Sequence, residues 1–184
     1  MRCPLQNCAA TIAIFASVLA STAHAQEVYG GVYAHEVETP LTFAVEESGV
    51  DLQLGYRFER EEALDFIGSP QPYLIASLNS EGDTSFAGGG LSWQVPLGRA
   101  DYIRPGLGLV VHDGPSLRVS EVTGKRTDLG SRVLFEPEIA IGARLSDRLS
   151  LEASWVHISH ARLFNAQQNP GIDMMGLRLS YAVR

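Results

Sequence analysis

Along most of the chain, hydrophobic and polar residues alternate one by one in short runs separated by turn-forming residues. Successive side chains on a β-strand point to opposite faces, so strict alternation predicts strands with one apolar and one polar side. Eight such runs can be drawn, over residues 27–36, 50–60, 71–80, 84–95, 101–112, 130–145, 149–159 and 172–183. The second is the clearest, with Val50, Leu52, Leu54, Tyr56 and Phe58 on one face and Asp51, Gln53, Gly55, Arg57 and Glu59 on the other. The last sets Met175, Leu177, Leu179, Tyr181 and Val183 against Met174, Gly176, Arg178, Ser180 and Ala182. The sixth sets Val133, Phe135, Ile139, Ile141 and Leu145 against Glu136, Glu138, Gly142 and Arg144. No stretch of useful length has a helical period, so the class is all-β.

The connections alternate in length as well. Residues 37–49, 113–129 and 160–171 form long polar loops, whereas 96–99 and 146–148 are tight turns. Long loops at one end, short turns at the other and an even strand number predict an eight-stranded antiparallel outer-membrane β-barrel. Two connections break the alternation: 61–70 is long on the short-turn side, and 79–83 is short on the other. The polar faces carry glycine, arginine and glutamate, which suit a lumen just wide enough to be filled by side chains. Phe58, Trp93 and Tyr181 would fall near the short-turn end of the apolar face, as an interfacial aromatic girdle requires. A soluble periplasmic barrel or sandwich, with the apolar face turned inward, has the same periodicity.

The first 25 residues read differently. Arg2 forms a positive start, Ala9 to Ala20 an apolar stretch, and Ala23-His24-Ala25 a small-residue cleavage site before Gln26. This is the pattern of a signal peptide, leaving residues 26–184 as a single barrel domain. Cys3 and Cys8 would leave with it, so neither disulfides nor cysteine zinc sites are expected. Without Arg2 the chain carries 13 basic and 21 acidic residues, a net charge near −8, which argues against nucleic acid as a partner. No phosphate-binding glycine loop is present, and the reading calls for no cofactor and no metal.

Against this background Trp155-Val156-His157-Ile158-Ser159 stands out. His157 and Ser159 share the strand face of Leu149, Leu151, Ala153 and Trp155, which should meet lipid. Asp173, by the parity of the last strand, shares that face too. The seventh and eighth strands are antiparallel neighbours, so the end of one lies beside the start of the other. His157, Ser159 and Asp173 are then expected to converge outside the barrel at the long-loop end. A hydroxyl, an imidazole and a carboxylate supply a nucleophile, its base and a group that orients the base. Taken singly, the histidine reads as an interfacial residue, the serine carries little signal, and Asp173 after Asn169-Pro170-Gly171 could close a turn. Together on a lipid-facing wall, where polar groups are costly, they point to function. Glu152, even-numbered, should face the lumen.

The stretch His157-Ile158-Ser159-His160-Ala161, followed by residues 169–173 and a last strand Gly176-Leu177-Arg178-Leu179-Ser180-Tyr181, resembles the PagL-type lipid A 3-O-deacylases. Residues 68–74, 83–88 and 106–114 are similar to family members as well. The resemblance implies an eight-stranded outer-membrane barrel that removes the 3-O-linked acyl chain from lipid A of lipopolysaccharide in the outer leaflet. It implies Ser159 as nucleophile, His157 as general base, Asp173 as the orienting acid, and His160 and Ala161 near the oxyanion hole. The best-known member has glutamate as the acid and asparagine directly after the serine, where this chain has Asp173 and His160. The expected partner is lipid A in the membrane, with the protein a monomer or homodimer. The alternatives are a non-catalytic structural or adhesive barrel and a soluble periplasmic lipid-binding barrel.

Overall fold

The computed structural model describes residues 25–40, 46–115, 117–119, 124, 126–163 and 170–183. All but the last residue of the expected signal peptide therefore lies outside the described residues. Eight strands make the wall: β1 Ala25–Ala34, β2 Val50–Phe58, β3 Gln71–Asn79, β4 Phe86–Ser92, β5 Asp101–His112, β6 Val133–Arg144, β7 Leu149–Ser159 and β8 Gly171–Ala182. Each pairs antiparallel with its sequence neighbours, and β1 pairs with β8, with Val28 opposite Tyr181 and Val32 opposite Leu177, so the sheet closes. Closure leaves the eight-stranded wall without a free edge.

The apolar face turns outward. Val32, Leu54, Val111, Ile141 and Leu177 are each between 57 and 59% exposed, whereas Arg57, Arg104, Glu136 and Glu152 are at 0%. A soluble barrel would have the opposite arrangement, so the periplasmic alternative fails on this point. The lumen has two zones. In the half nearer the short turns, Glu152 accepts hydrogen bonds from Arg57 Nη2 and Arg104 Nε at 3.0 Å, from Tyr102 at 2.9 Å and from Arg178 Nε. Arg178 also holds Glu138 through two nitrogens, and Glu27 pairs with Arg57 and Arg104. Charges taken from water are tolerated when every one is met in this way. Gly55 is required here, because a Cβ on it would overlap the Tyr29 ring, which lies under the Arg57 guanidinium. Toward the long loops Tyr73, Phe86, Val110, Leu134, Val156, Ile158, Ile172 and Met174 form one apolar cluster, beside a second polar group of buried Asp51, Glu47 and His35.

The strand ends differ from the sequence expectation by a few residues, for local reasons. β1 stops at Ala34 because Glu36 turns the chain with φ 50°, and β6 starts only after Gly130, which has φ 72°. β4 pauses at Trp93-Gln94 and resumes as Val95–Pro96 in the same register against β5. Trp93 N donates to Pro105 O at 2.9 Å, but Pro105 has no N–H to return, so the ladder is broken there. The long connection on the short-turn side contains a 3₁₀ helix, Glu62–Ile67, capped by the Glu61 side chain on Ala63 N and ended by Gly68 at φ 92°. The long loop after β5 contains a small hairpin, Leu117–Val119 with Arg126–Asp128. The aromatic residues expected near the short turns are there: Tyr56 meets Phe58 edge-on, Trp93 Nε1 donates to Ile67 O at 2.8 Å, and Arg148 reaches the Tyr181 hydroxyl.

Candidate active site

β7 and β8 run in a register that sets His157 opposite Asp173 and Ser159 opposite Gly171. Their even-numbered residues Val156, Ile158, Ile172 and Met174 are fully buried in the apolar end of the lumen. Four wedges driven into one packed core hold the two strands rigidly, and alternation then fixes His157, Ser159 and Asp173 on the outer side. The β6–β7 ladder skips His157 and Ile158, where Pro137 on the facing strand has no N–H to donate.

The three side chains form one hydrogen-bonded line. Asp173 Oδ1 accepts from His157 Nδ1 at 2.8 Å, which leaves Nε2 to accept the Ser159 hydroxyl proton across 2.9 Å. No water is needed to bridge the shorter acid, because the register brings its backbone directly opposite the histidine. Asp173 Oδ1 also accepts from Trp155 Nε1 at 2.8 Å, and Oδ2 accepts from the Thr39 hydroxyl. The Asp173 carbonyl accepts from Val37 N at 2.8 Å. The Asp173 carboxylate is closed off from solvent, and 12% of the His157 side chain is exposed. The indole of Trp155 lies tilted beside the imidazole, with ring centres 6.0 Å apart. Gly171 is a necessity of this packing: a Cβ there would lie 2.5 Å from His157 Cε1.

His160, the residue after the serine, has its side chain fully buried, and its carbonyl accepts from Leu163 N at 3.0 Å. Ala161 and Arg162 follow with φ of 52° and 61°, so the chain turns sharply as it leaves β7. Glu152 lies in the lumen network, on the other side of the wall. Below the triad, Ile103, Ile139, Ile141, Ala153, Trp155 and Met175 line an open apolar groove of about 420 Å³.

Parity placed His157, Ser159 and Asp173 together. It did not reveal Thr39, which arrives from a loop whose path has no periodic signature, nor the role of Gly171, which depends on register. Trp155 was within reach of the same reasoning, since it shares the parity of His157 and carries an N–H that a lipid-facing wall must satisfy.

A closed eight-stranded barrel with an apolar outer wall is a membrane-spanning fold, and solved structures agree. The chain is similar to the outer membrane enzyme PagL, at 18% identity over 85% of this chain and 99% of that one, with a TM-score of 0.58. It is also similar to Neisserial surface protein A, at 7% identity over 85% of this chain and 96% of that one, with a TM-score of 0.53. A designed transmembrane β-barrel gives 13% identity, coverage of 89% and 98%, and a TM-score of 0.50. Curated protein sequences give no significant match. The family model described as "Lipid A 3-O-deacylase (PagL)" matches residues 75–182. The chain belongs to the lipid A 3-O-deacylase (PagL) family, which are carboxylic ester hydrolases.

Proposed function

We propose that this protein hydrolyses the 3-O-linked acyl ester of lipid A through Ser159, His157 and Asp173, at the outer-leaflet end of the barrel wall. The observation that carries the reading is the unbroken line from Ser159 Oγ through the imidazole to the Asp173 carboxylate, on the side of the wall that faces lipid. Family membership supplies the reaction class.

In this mechanism His157 Nε2 takes the Ser159 proton as Oγ attacks the ester carbonyl. The proton then passes to the sugar oxygen as the C–O bond breaks, leaving an acyl-enzyme and a free 3-hydroxyl. A water, deprotonated by Nε2, attacks the acyl carbon, and the proton returns to Ser159 as the fatty acid leaves. Asp173 keeps the imidazole in the tautomer that accepts at Nε2 and balances its charge once protonated. The oxyanion would be met at the turn formed by His160 and Ala161, where backbone N–H groups are the suitable donors. The apolar groove below Trp155 and Met175 suits an acyl chain running down the barrel wall. We further propose that export follows cleavage before Gln26, that the long loops face outward, and that a monomer suffices, since one chain carries all three residues.

Lipid A extracted from cells with and without the protein, analysed by mass spectrometry, tests the reading. Loss of one 3-O-acyl chain is expected with the wild type and none with Ser159→Ala. The purified variant should retain the heat-modifiable mobility of a folded barrel and lose rate by about 10⁴-fold, with Ser159→Ala/His157→Ala scarcely worse than either single change. Near-normal turnover by Ser159→Ala would refute the mechanism. Unchanged lipid A with the wild type would favour a non-catalytic barrel.

A further inference from the structure

We propose that residues 35–39, between β1 and β2, are a positioning element for the acid of the site: Thr39 fixes the Asp173 carboxylate, and a clamp around His35 holds Thr39 in place. This rests on the triad reading above. Trp155 and His157 of β7 donate to Oδ1, while Thr39 crosses the β1–β8 seam to reach Oδ2. The β1–β8 ladder ends at Ala34 opposite Met175, yet the chain bends at Glu36 and brings Val37 N back to Asp173 O. Both carboxylate oxygens are thus occupied, and rotation about the Cβ–Cγ bond would break a hydrogen bond at each end. An aspartate has no spare methylene with which to recover the contact to His157.

The bend is held by an unusual set of bonds for a loop. His35 Nδ1 donates to Asp51 Oδ2 at 2.8 Å and Nε2 donates to Glu47 Oε2 at 2.7 Å. Donation from both nitrogens requires the imidazolium. Burial opposes that charge, but the two carboxylate hydrogen bonds outweigh it and lift the His35 pKa to about 9. Glu47 is itself held by Thr84, through its hydroxyl at 2.6 Å and its amide at 3.0 Å, and Asp51 by Asn79 Nδ2 at 3.0 Å. Glu36 accepts from the backbone of Glu46 and Glu47. The loop is therefore tied to β2 and to the β3–β4 turn on one side and touches the catalytic acid on the other.

The purified full chain, refolded in detergent and assayed on lipid A, provides the test. Thr39→Ala should lower kcat about five- to tenfold, the scale of one lost hydrogen bond acting through geometry, and leave KM unchanged, because Thr39 acts through Asp173. Thr39→Ser should restore the rate. His35→Gln should act in the same direction, and adding Thr39→Ala to it should cost little more. A Thr39→Ala enzyme within twofold of wild-type kcat, beside an inactive Ser159→Ala, would overturn the positioning role and leave the triad standing. An active Ser159→Ala would remove the triad reading itself.

Discussion

At the scale of single residues, the site depends on one side chain that is missing. The imidazole of His157 occupies the space that a Cβ on Gly171 would take, and Gly171 faces Ser159 across the strand pair. Gly171→Ala should push the imidazole off the line between Asp173 and Ser159 while leaving the inward wedges of β7 and β8 untouched. A displacement of about 1 Å at a catalytic base is worth about 10²-fold in rate, so activity on lipid A should fall by that order while the heat-modifiable mobility stays normal. An unimpaired Gly171→Ala enzyme would mean that the imidazole works from another position. His157, Ser159 and Asp173 were legible in the sequence because one rule, alternation, operates identically on neighbouring strands. Thr39 was not legible: its meeting with Asp173 spans 134 positions and depends on how a loop without periodicity folds back.

At the scale of elements, β7 carries two functions on its two faces. Trp155, His157 and Ser159 look outward, while Glu152, Val156 and Ile158 anchor the strand inside. The inward direction of Glu152 could be read from parity. Its three arginine partners could not, since they come from β2, β5 and β8 and their heights depend on the stagger of the closed barrel. For the same reason the strand pattern showed neither the 3₁₀ helix Glu62–Ile67, which is too short for a period, nor the hairpin within the loop after β5. Glu152→Gln keeps the shape and removes the charge that meets Arg57, Arg104 and Arg178. Breaking a buried ion network by removing one member destabilises by about 3–5 kcal/mol, so unfolding in urea from detergent or lipid should shift by that amount. A change below about 1 kcal/mol would mean that water or a rearranged Glu138 meets the arginines instead.

At the scale of the whole molecule, the barrel is a filled scaffold that carries the candidate site on its outer wall. Among the described residues, Arg57, Arg104, Arg178 and Tyr29 fill the lumen on one side and the apolar cluster fills it on the other, so the fold holds side chains in place. Seven of the eight wall strands have nine to twelve residues, and β4, with seven, is continued by Val95–Pro96, lengths that match crossing a bilayer at a tilt. His157, Ser159 and Asp173 sit at the long-loop end of that span. In the proposed orientation, with the long loops outward, Ser159 meets lipid of the outer leaflet, and the proposed substrate follows from where the site lies. Protease added to intact cells should therefore cut within residues 113–129, while the turns at 97–100 and 145–148 become accessible only after the outer membrane is opened. Cleavage of those turns in intact cells would invert the barrel and put Ser159 on the wrong leaflet. Recovery of the protein from the soluble periplasm would contradict the apolar wall altogether, because residues such as Leu54 and Ile141, more than half exposed, would then face water.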